Sequence, residues 1–420
     1  MKKYSGATLL VALLILAPAA AAQQTLPDAA LVERARRILD QVPIIDGHND
    51  LPSELLSQAG GDPVRFDMTQ RQDSFMTDLG RMKQGRVGAQ FWSAYVDNDS
   101  IPTGAALRQG LRQVDMALRF TRQYPQQLEL ARTAADIERI EGQGRIASLI
   151  GLEGGHGIEN SLSALRMYYE LGVRYLTLTH NTTLKWADAA LDANKNNGLS
   201  KFGEAVVREM NRLGMFVDLS HVSAETMRDA LRVSEAPVIF SHSSTYALVP
   251  VARNVPDDVL RMLPKNGGVI MITFVPEFDN KAAFAWTLHA DSVAEQLRNQ
   301  ATDEADFRRR MREWTRANPQ PNASIGDVAD HIDHARQLAG IDHIGIGSDF
   351  DGIGHGPAGL EDVSTYPNLF AELLRRGYSE ADLKKISGQN LLRAMQQMEQ
   401  TARRLQAMKA PALTDVGRRP

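Results

Sequence analysis

The chain alternates short apolar runs with longer amphipathic stretches along most of its length. Short runs rich in β-branched residues are typical of buried strands, and apolar positions that recur every three to four residues are typical of helices. We predict eight strands, near residues 43–47, 88–95, 146–152, 173–179, 215–219, 237–241, 268–274 and 343–348. Helices are predicted between most of them, for example at 102–120, 161–171, 202–213, 224–233 and 256–263. Ser223 and Ser379, each followed by an acidic first turn, are predicted to cap helices. Alternating strands and helices form parallel sheets, so eight such units predict an α/β fold, a closed (β/α)8 barrel of TIM type.

The interval between the seventh and eighth predicted strands, 275–342, is too long for one ordinary unit of such a barrel. It is rich in charged residues and helix formers and is broken by Pro319 and Pro321, so we predict a helical insertion. Because loops that follow strands lie at the active-site face, the insertion forms a lid or a subunit contact, and the sequence does not separate the two. The segment 379–408 is predicted to form two closing helices.

The start of the chain has the pattern of a secretory signal peptide. Met1-Lys2-Lys3 precedes an apolar stretch at 7–17 and a run of alanines that ends at Ala22. A basic start, an apolar stretch of about 11 residues and a small-residue cleavage site are typical of this class. The alternative, a membrane anchor, would need roughly 20 apolar residues. We therefore expect cleavage after Ala22, export to the periplasm or the medium, and one mature domain over 23–420.

Charge and composition exclude several classes of function. The formal net charge of −4 becomes −6 without the two lysines of the signal peptide, and a mildly acidic protein is a poor partner for nucleic acid or an anionic membrane. The chain contains no cysteine, so it forms no disulfide and offers no thiolate to a metal. A homodimer is compatible with the sequence, but not a disulfide-linked one. Any metal must be held by histidine, aspartate and glutamate.

Five predicted strands each end in residues that can bind a divalent metal. These residues are His48 with Asp50, Glu153, His221, His242 and Asp349. The carboxyl ends of parallel barrel strands meet at one rim, so side chains from distant parts of the chain converge there. Three imidazoles and three carboxylates at that rim favour a hydrolytic metal centre.

Each of these residues also has a purely structural interpretation. His48 and Asp50 point the same way in an extended segment, but the Asp-Gly and Asn-Asp pairs around them also favour a turn. Glu153, beside two glycines, is either a ligand or a loop cap. A single buried histidine is usually a core residue, but His221 and His242 each follow an apolar strand and a serine, and a matched pair favours ligands.

Other polar residues near strand ends receive different interpretations. His180 is either a ligand or a donor to a substrate oxygen, and Asp349 is either a proton acceptor or a turn residue before Asp351-Gly352. His156 is interpreted as a loop residue. A further cluster lies in a helix that leads into the eighth strand and is predicted to pack or be solvated on the wrong side of the barrel for chemistry: His331, Asp333 and His334.

The chain resembles the membrane dipeptidases, also called renal dipeptidases, within the amidohydrolase-like barrels. The resemblance runs from about Ile44 to Met395, and no single motif carries it. The motifs are Ile45-Asp46-Gly47-His48-Asn49-Asp50-Leu51-Pro52, Gly88-Ala89-Gln90-Phe91-Trp92-Ser93, Gly151-Leu152-Glu153-Gly154, Arg174-Tyr175-Leu176-Thr177-Leu178-Thr179-His180-Asn181, Trp186-Ala187-Asp188, Asp218-Leu219-Ser220-His221, His242-Ser243-Ser244, Arg253-Asn254-Val255-Pro256-Asp257-Asp258 and Gly347-Ser348-Asp349-Phe350-Asp351-Gly352.

The resemblance implies a binuclear centre with two Zn²⁺ ions. One ion would be held by His48, Asp50 and Glu153 and the other by Glu153, His221 and His242, so that Glu153 bridges them. A bridging water or hydroxide would attack the peptide carbonyl of a dipeptide, because zinc lowers the pKa of bound water to about 7. The ligand set itself also admits cobalt or manganese.

The resemblance also implies roles around the centre. His180 would stabilise the developing oxyanion, Asp349 would move the proton to the leaving amine, and Arg253 would bind the substrate's terminal carboxylate. Members of the family commonly accept a D-residue at the second position, and some open β-lactam rings. Animal members carry a glycolipid anchor and disulfides, which this chain lacks, so a membrane address is not expected.

Three hypotheses follow. The first is a zinc dipeptidase. The second keeps the metal centre but changes the substrate to a lactone, a β-lactam or an N-acyl amino acid. The third is a non-catalytic protein that binds peptide or metal, against which Asp349 argues because a carboxylate beside the ions serves mainly proton transfer.

Overall fold

The computed structural model describes residues 27–412, so the predicted signal peptide at 1–22 lies outside the described residues. All eight predicted strands are present, and every barrel strand is parallel to its neighbours. The strands are β1 Ile44–Asn49, β2 Val87–Tyr95, β3 Leu128–Leu130, β4 Ile146–Glu153, β5 Val173–Thr177, β6 Phe216–Asp218, β7 Ile239–Phe240, β8 Val269–Ile272 and β9 Ile344–Ile346.

Eight of these strands close into a barrel. The order runs β2-β1-β9-β8-β7-β6-β5-β4, and β2 pairs with β4 to complete the circle. The ninth strand, β3, was not predicted. It lies beside the first residues of β4 and pairs with them in parallel, beginning at Leu128↔Ile146. The inward-facing and outward-facing positions of β2 and β4 are almost all buried, as parallel strands covered by helices require. The α/β barrel fold is therefore confirmed.

Helices surround the barrel and follow most strands. They are α1 Ala29–Leu39, α2 Leu51–Gln58, α3 Leu79–Gln84, α4 Ala106–Gln123, α5 Ala134–Gly142, α6 Leu162–Leu171, α7 Lys201–Leu213, α8 Ala224–Val233, α9 Asp257–Leu260, α10 Leu263–Asn266, α11 Pro276–Asp279, α12 Lys281–Gln300, α13 Glu304–Ala317, α14 Ile325–Ala339, α15 Tyr366–Arg375, α16 Glu380–Lys384 and α17 Asn390–Met408. Between residues 27 and 412, no helix combines the length and the apolar character required to cross a bilayer.

Most helix predictions are confirmed, with two corrections. The helix predicted at 102–120 begins only after Ala105, because Gly104 adopts a left-handed turn with φ of +63°. The helix predicted at 256–263 is two short helices, and Pro264 lies in the first turn of the second, where a missing N–H costs nothing. Ser223 and Ser379 cap their helices as predicted.

The insertion between β8 and β9 contains helices α11 to α14. Helix α14 packs against the barrel through buried residues such as Val328 and Ile332, whereas α13 has no buried residue. The α12–α13 pair is held partly by the Trp286 and Trp314 rings, 5.6 Å apart. The insertion is confirmed as helical, and its use as a lid or as a subunit contact stays a prediction.

Candidate active site

The ends of four barrel strands bring the five predicted ligands to one point. His48 and Asp50 lie at the end of β1, and Glu153 is the last residue of β4. His221 follows β6 and His242 follows β7, each within three residues of the strand end. All five residues are buried, with His48 fully inaccessible. Donors that the sequence spreads over nearly 200 residues therefore share one small volume.

Glu153 lies between two groups of imidazoles. Its Oε2 atom is 3.3 Å from Nε2 of His48, and its Oε1 atom is 2.9 Å from Nε2 of His221. The same Oε1 is 3.7 Å from Nε2 of His242. The Ser93 hydroxyl donates to Oε2 at 2.9 Å, which fixes the carboxylate plane. Each oxygen of Glu153 thus faces a different part of the site.

The three imidazoles present their Nε2 atoms to this point because Nδ1 is already bonded elsewhere. Nδ1 of His221 bonds Oδ1 of Asn181 at 3.0 Å, and Nδ1 of His48 bonds the Tyr175 hydroxyl at 2.7 Å. In His242, Nδ1 bonds the Ser241 hydroxyl at 2.8 Å. A second partner of this kind fixes the orientation and tautomer of a metal-binding histidine.

A buried carboxylate supports His242 through Ser241. The Ser241 hydroxyl donates to Oδ2 of Asp218 at 2.7 Å, so it accepts the Nδ1 proton of His242 and leaves Nε2 as a lone-pair donor. Thr177 donates to the same oxygen at 2.6 Å. The Nε2 atoms of His221 and His242 are only 2.9 Å apart, and two lone pairs at that separation favour a cation between or beside them.

The donor chemistry fits divalent ions. Nε2 of His48 is buried and has no aligned hydrogen bond, although Asp50 Oδ2 is 3.2 Å away and Asp349 Oδ1 3.9 Å away. Groups of three donor atoms close enough to share an ion are His48-Glu153-His242, Glu153-His180-His221 and His48-Asp50-Asp349. Imidazole and carboxylate ligands are those of zinc and related metals.

The two sides of Glu153 differ in electrostatics. Burial opposes a charge on His48, but Tyr175 and the Glu153 carboxylate outweigh it and hold the pKa of His48 well above its usual value. Burial and the positive charge of Arg253 hold the pKa of His221 well below its usual value. Burial, with His48 beside it, also holds the pKa of His242 well below its usual value. The neutral imidazoles therefore lie on the side nearer Arg253.

Asp349 lies beside the His48 side of the site. Burial and the carboxylates of Asp50 and Glu153 hold the pKa of Asp349 well above its usual value. Gly352 packs closely against the carboxylates of Asp50 and Asp349, because a Cβ atom there would lie 2.4 Å from Oδ2 of Asp50 and 2.7 Å from Oδ1 of Asp349. The arrangement increases the affinity of Asp349 for a proton.

Backbone strain occurs at two corresponding positions of the rim. Asp349 and His221 both have φ of +68°, a left-handed conformation that is uncommon outside glycine. Each lies three residues beyond the end of its strand, β9 or β6. Such strain costs about 1–3 kcal/mol per residue and clusters at functional sites.

His180 and Arg253 complete the rim. His180 Nε2 lies 3.9 Å from Oε1 of Glu153, while its Nδ1 is 2.9 Å from the amide nitrogen of Asn98 and its ring contacts Tyr95. Burial lowers the pKa of His180. Arg253 is 2% exposed and its Nη1 atom has no hydrogen-bond partner, so a buried cation faces the site unpaired. Burial lowers the pKa of Arg253 to about 10.

The remaining predicted histidines lie elsewhere. His156 is buried and its Nε2 bonds the Val96 carbonyl at 2.9 Å. His334 bonds Asp257 at 2.8 Å on the helix surface. His331 is fully buried, which confirms its predicted packing role, but it lies nearer the carboxyl end of the barrel than predicted, because its Nδ1 accepts from the backbone N–H of Thr245, three residues after His242.

Several residues that support the site were not predicted. Tyr175 and Asn181 bond the imidazoles of His48 and His221, and Asp218 accepts from Ser241 beside His242. All three lie within motifs that the sequence displays, but nothing local to them indicates these bonds. Ser241 is adjacent to His242, and the repeated Ser-His pair at 220–221 and 241–242 was the available indication.

Comparisons with known proteins agree with this architecture. A family model described as membrane dipeptidase, peptidase family M19, matches residues 32–409. The dipeptidase aclJ of Aspergillus oryzae is 42% identical over 378 residues, which cover 88% of this chain and 81% of that protein.

Solved structures share the fold. The probable dipeptidase PvdM from Pseudomonas aeruginosa superposes with a TM-score of 0.75 at 22% identity, over 89% of this chain and 99% of that chain. A metallopeptidase from Rhodobacter sphaeroides, liganded with a phosphinate mimic of the dipeptide L-Ala-D-Ala, gives a TM-score of 0.68 at 25% identity over 85% of this chain and 99% of that chain. With a family match over nearly its whole length, the chain belongs to the membrane dipeptidase family, peptidase family M19, and is a dipeptidase of the metallopeptidase class.

Proposed function

We propose that the protein is a zinc dipeptidase with a binuclear centre at the barrel rim. His48, Asp50 and Glu153 would hold one ion, and Glu153, His221 and His242 the other. The observation that carries the proposal is the position of Glu153, whose two oxygens face His48 on one side and His221 on the other. When bound, two zinc ions would act as Lewis acids and supply an activated water at neutral pH.

The chain's own residues would select and orient the substrate. Arg253 is buried and unpaired at Nη1, so a carboxylate in its reach would gain a charge-assisted and well-oriented bond. A dipeptide carries its terminal carboxylate one residue from the scissile bond, whereas a longer peptide does not. This geometry would favour dipeptides over long chains.

Two residues would act on the reacting atoms. His180, turned towards Glu153 by its bond to Asn98, would donate to the carbonyl oxygen as negative charge develops there. Asp349, whose pKa is raised, would accept a proton from the attacking water and deliver it to the leaving amine. Both side chains are partly accessible, at 13% and 15% of their surface, as groups that meet a substrate must be.

We also infer that the second residue of the dipeptide can be of D configuration. The support is the Rhodobacter sphaeroides relative, which was solved with a mimic of L-Ala-D-Ala. Arg253 would hold the carboxylate of either isomer, and the configuration would change only where the side chain points.

The direct test is a panel of dipeptides that varies side chain and configuration at both positions, assayed with zinc-loaded protein. The expected result is about two zinc ions per chain and hydrolysis of several dipeptides, including at least one with a C-terminal D-residue. Failure on every dipeptide with zinc fully bound would contradict the proposal.

Arg253→Met separates a dipeptidase from an enzyme for lactones or other neutral amides. We expect kcat/KM for the best dipeptide to fall by about 10²-fold or more, because a buried charge-assisted pair is lost. Turnover of a neutral substrate should change little. Arg261→Met, on the exposed end of α9, is the matched control. An unchanged kcat/KM for the dipeptide would support the neutral-substrate alternative.

A further inference from the structure

Within residues 27–412, no hydrogen bond is observed that involves the guanidinium of Arg253. Its guanidinium lies over the ring of Phe278 at 5.3 Å, and its Nη1 atom is unpartnered although the residue is 98% buried. A long flexible side chain in this situation is positioned by the backbone that carries it. The loop between β7 and α9, residues 241–256, therefore decides where the guanidinium points.

Asn254, the next residue, ties this loop to itself and to the insertion. Its Oδ1 accepts from the backbone N–H of Ser244 at 3.1 Å, and its Nδ2 donates to the carbonyl of Phe278 at 2.8 Å. A second Nδ2 bond reaches the carbonyl of Val249 at 3.0 Å. The loop is thus joined to α11, the first helix of the insertion.

Two residues of the insertion hold the other end of the loop. The Ser244 hydroxyl donates to Oδ1 of Asp279 at 2.6 Å, and the Thr245 N–H donates to Nδ1 of His331 at 3.0 Å. Because Nδ1 of His331 accepts, Nε2 carries the proton and donates to the Asp279 carbonyl at 3.2 Å. His331 is fully buried, and burial lowers its pKa to about 4, so it keeps this neutral form at physiological pH.

We propose that His331 and Asp279 are positioning residues that hold the loop of Arg253 and thereby set the preference for substrates with a free terminal carboxylate. The proposal rests on the proposed role of Arg253. In this proposal, helices α11 and α14 at the base of the insertion position the Arg253 loop. The exposed α12–α13 pair has no part in this positioning.

The physical reason is the directionality of a guanidinium. Its N–H donors form a rigid fork, so a small displacement of the backbone at Arg253 misaligns the bonds to a carboxylate. A substrate whose carboxylate is replaced by a neutral amide makes no charge-assisted bond to Arg253, so such a displacement changes its kcat/KM little. The ratio of kcat/KM for a dipeptide to kcat/KM for its C-terminal amide therefore reports the position of Arg253, whereas a general loss of folded protein lowers both values equally.

The experiment compares His331→Phe with His331→Gln in the full-length, zinc-loaded protein. Phenylalanine removes the bonds to Thr245 and to Asp279, whereas glutamine offers an acceptor for Thr245 and a donor for Asp279. We expect His331→Phe to lower the dipeptide-to-amide ratio about tenfold, mainly through KM, and His331→Gln to keep most of it. His343→Phe is the matched control, because His343 bonds the Gly268 carbonyl at the opposite end of the barrel. If the amide is turned over too slowly, its inhibition constant replaces its kcat/KM.

The outcomes separate this inference from the proposed function. A parallel loss on both substrates in His331→Phe would overturn the inference. If Arg253→Met abolishes the ratio but His331→Phe does not, only the inference fails, and if Arg253→Met leaves the ratio unchanged, the proposed carboxylate site fails. Should His331→Phe not fold, Ser244→Ala removes the bond from the Ser244 hydroxyl to the Asp279 carboxylate, and a lowered ratio there supports the inference while an unchanged one contradicts it.

Discussion

Both ends of the barrel contain buried polar atoms without a hydrogen-bond partner, but only at the carboxyl end do these atoms belong to a candidate site. At the amino end, Glu141 has a buried Oε1 atom without a partner, beside a cavity of about 410 Å³. At the carboxyl end, Nε2 of His48 and Oδ2 of Asp351 are also buried and unpartnered, and a cavity of about 460 Å³ adjoins Asp351 and Gly352. A buried polar atom without a partner costs free energy at either end.

The difference lies in convergence. Glu141 faces the chain near Gly88, and its pKa is raised to about 7 by burial and by Glu138, a carboxylate rather than a cation or a donor. At the other end, donors from β1, β4, β6 and β7 point at one another within 4 Å. An unpartnered buried atom therefore identifies a site only where several strands supply complementary donors to the same point.

The largest expected effect tests this comparison with one substitution made at each end. Glu153→Gln should lower kcat/KM for a dipeptide by about 10⁴-fold, because the proposed ligand shared by both ions would be lost. The zinc content per chain should fall with it. Glu141→Gln, the same change at the amino end, should leave both quantities unaltered. Equal losses in the two variants would mean that the comparison is wrong.

The next effect sharpens the role of the carboxyl-end carboxylates. Asp349→Asn should lower kcat by about 10²–10³-fold through loss of proton transfer, with zinc content unchanged. Steady-state kinetics and metal analysis on the same preparation decide the matter. If zinc content falls in proportion to activity, Asp349 is a metal ligand rather than a proton carrier.

A smaller effect is expected one bond away from the ligands. Ser241→Ala removes the hydroxyl between His242 and Asp218, so affinity for zinc should fall by about 10–100-fold in competition with a chelator. Ser348→Ala is the control, because its hydroxyl bonds the buried carboxylate of Asp46 without bonding an imidazole. Comparable zinc affinities in the two variants would show that the Ser241 hydroxyl does not contribute to metal binding through His242.

The smallest effect concerns stability at the amino end. The pKa of Glu141 is about 7 in the folded protein and about 4.5 unfolded, so the folded state holds the proton more tightly. Its contribution is favourable below pH 4.5 and is lost as the pH rises through 7. At pH 8 the free energy of unfolding of Glu141→Gln should therefore exceed that of the parent by up to about 2 kcal/mol, measured by urea unfolding. At pH 5 the two proteins should unfold at nearly the same urea concentration. A larger gain at pH 5 would contradict this account.

The sequence predicted the strands and the converging donors well because both follow local patterns. Each barrel strand is a short apolar run, and each donor follows such a run directly. The strand β3 was missed because Leu128–Leu130 is too short to show a period. Boundaries of α4 and of the α9–α10 pair depended on Gly104 and Pro264, whose local effects the apolar pattern does not contain.

The supporting residues could not be predicted because their partners are distant along the chain. Tyr175 bonds His48 across 127 residues, and His331 bonds Thr245 across 86. Within their own segments, Tyr175 is one more strand residue and His331 one more position of an amphipathic helix. Only the closed barrel brings them beside the residues that they hold.

The seam that closes the barrel has a consequence for the order of assembly. β1 and β9 meet through the pair Asp46↔Ile346, and Ser348 donates to Asp46 from its backbone at 2.8 Å and from its hydroxyl at 2.6 Å, across 302 residues. His48 and Asp50 emerge early during synthesis, but the neighbours that enclose them are made almost last. Contacts of such long range form late and slowly. A nascent chain therefore lacks the complete centre, and hydrolytic activity should begin only once the last strand has joined the first.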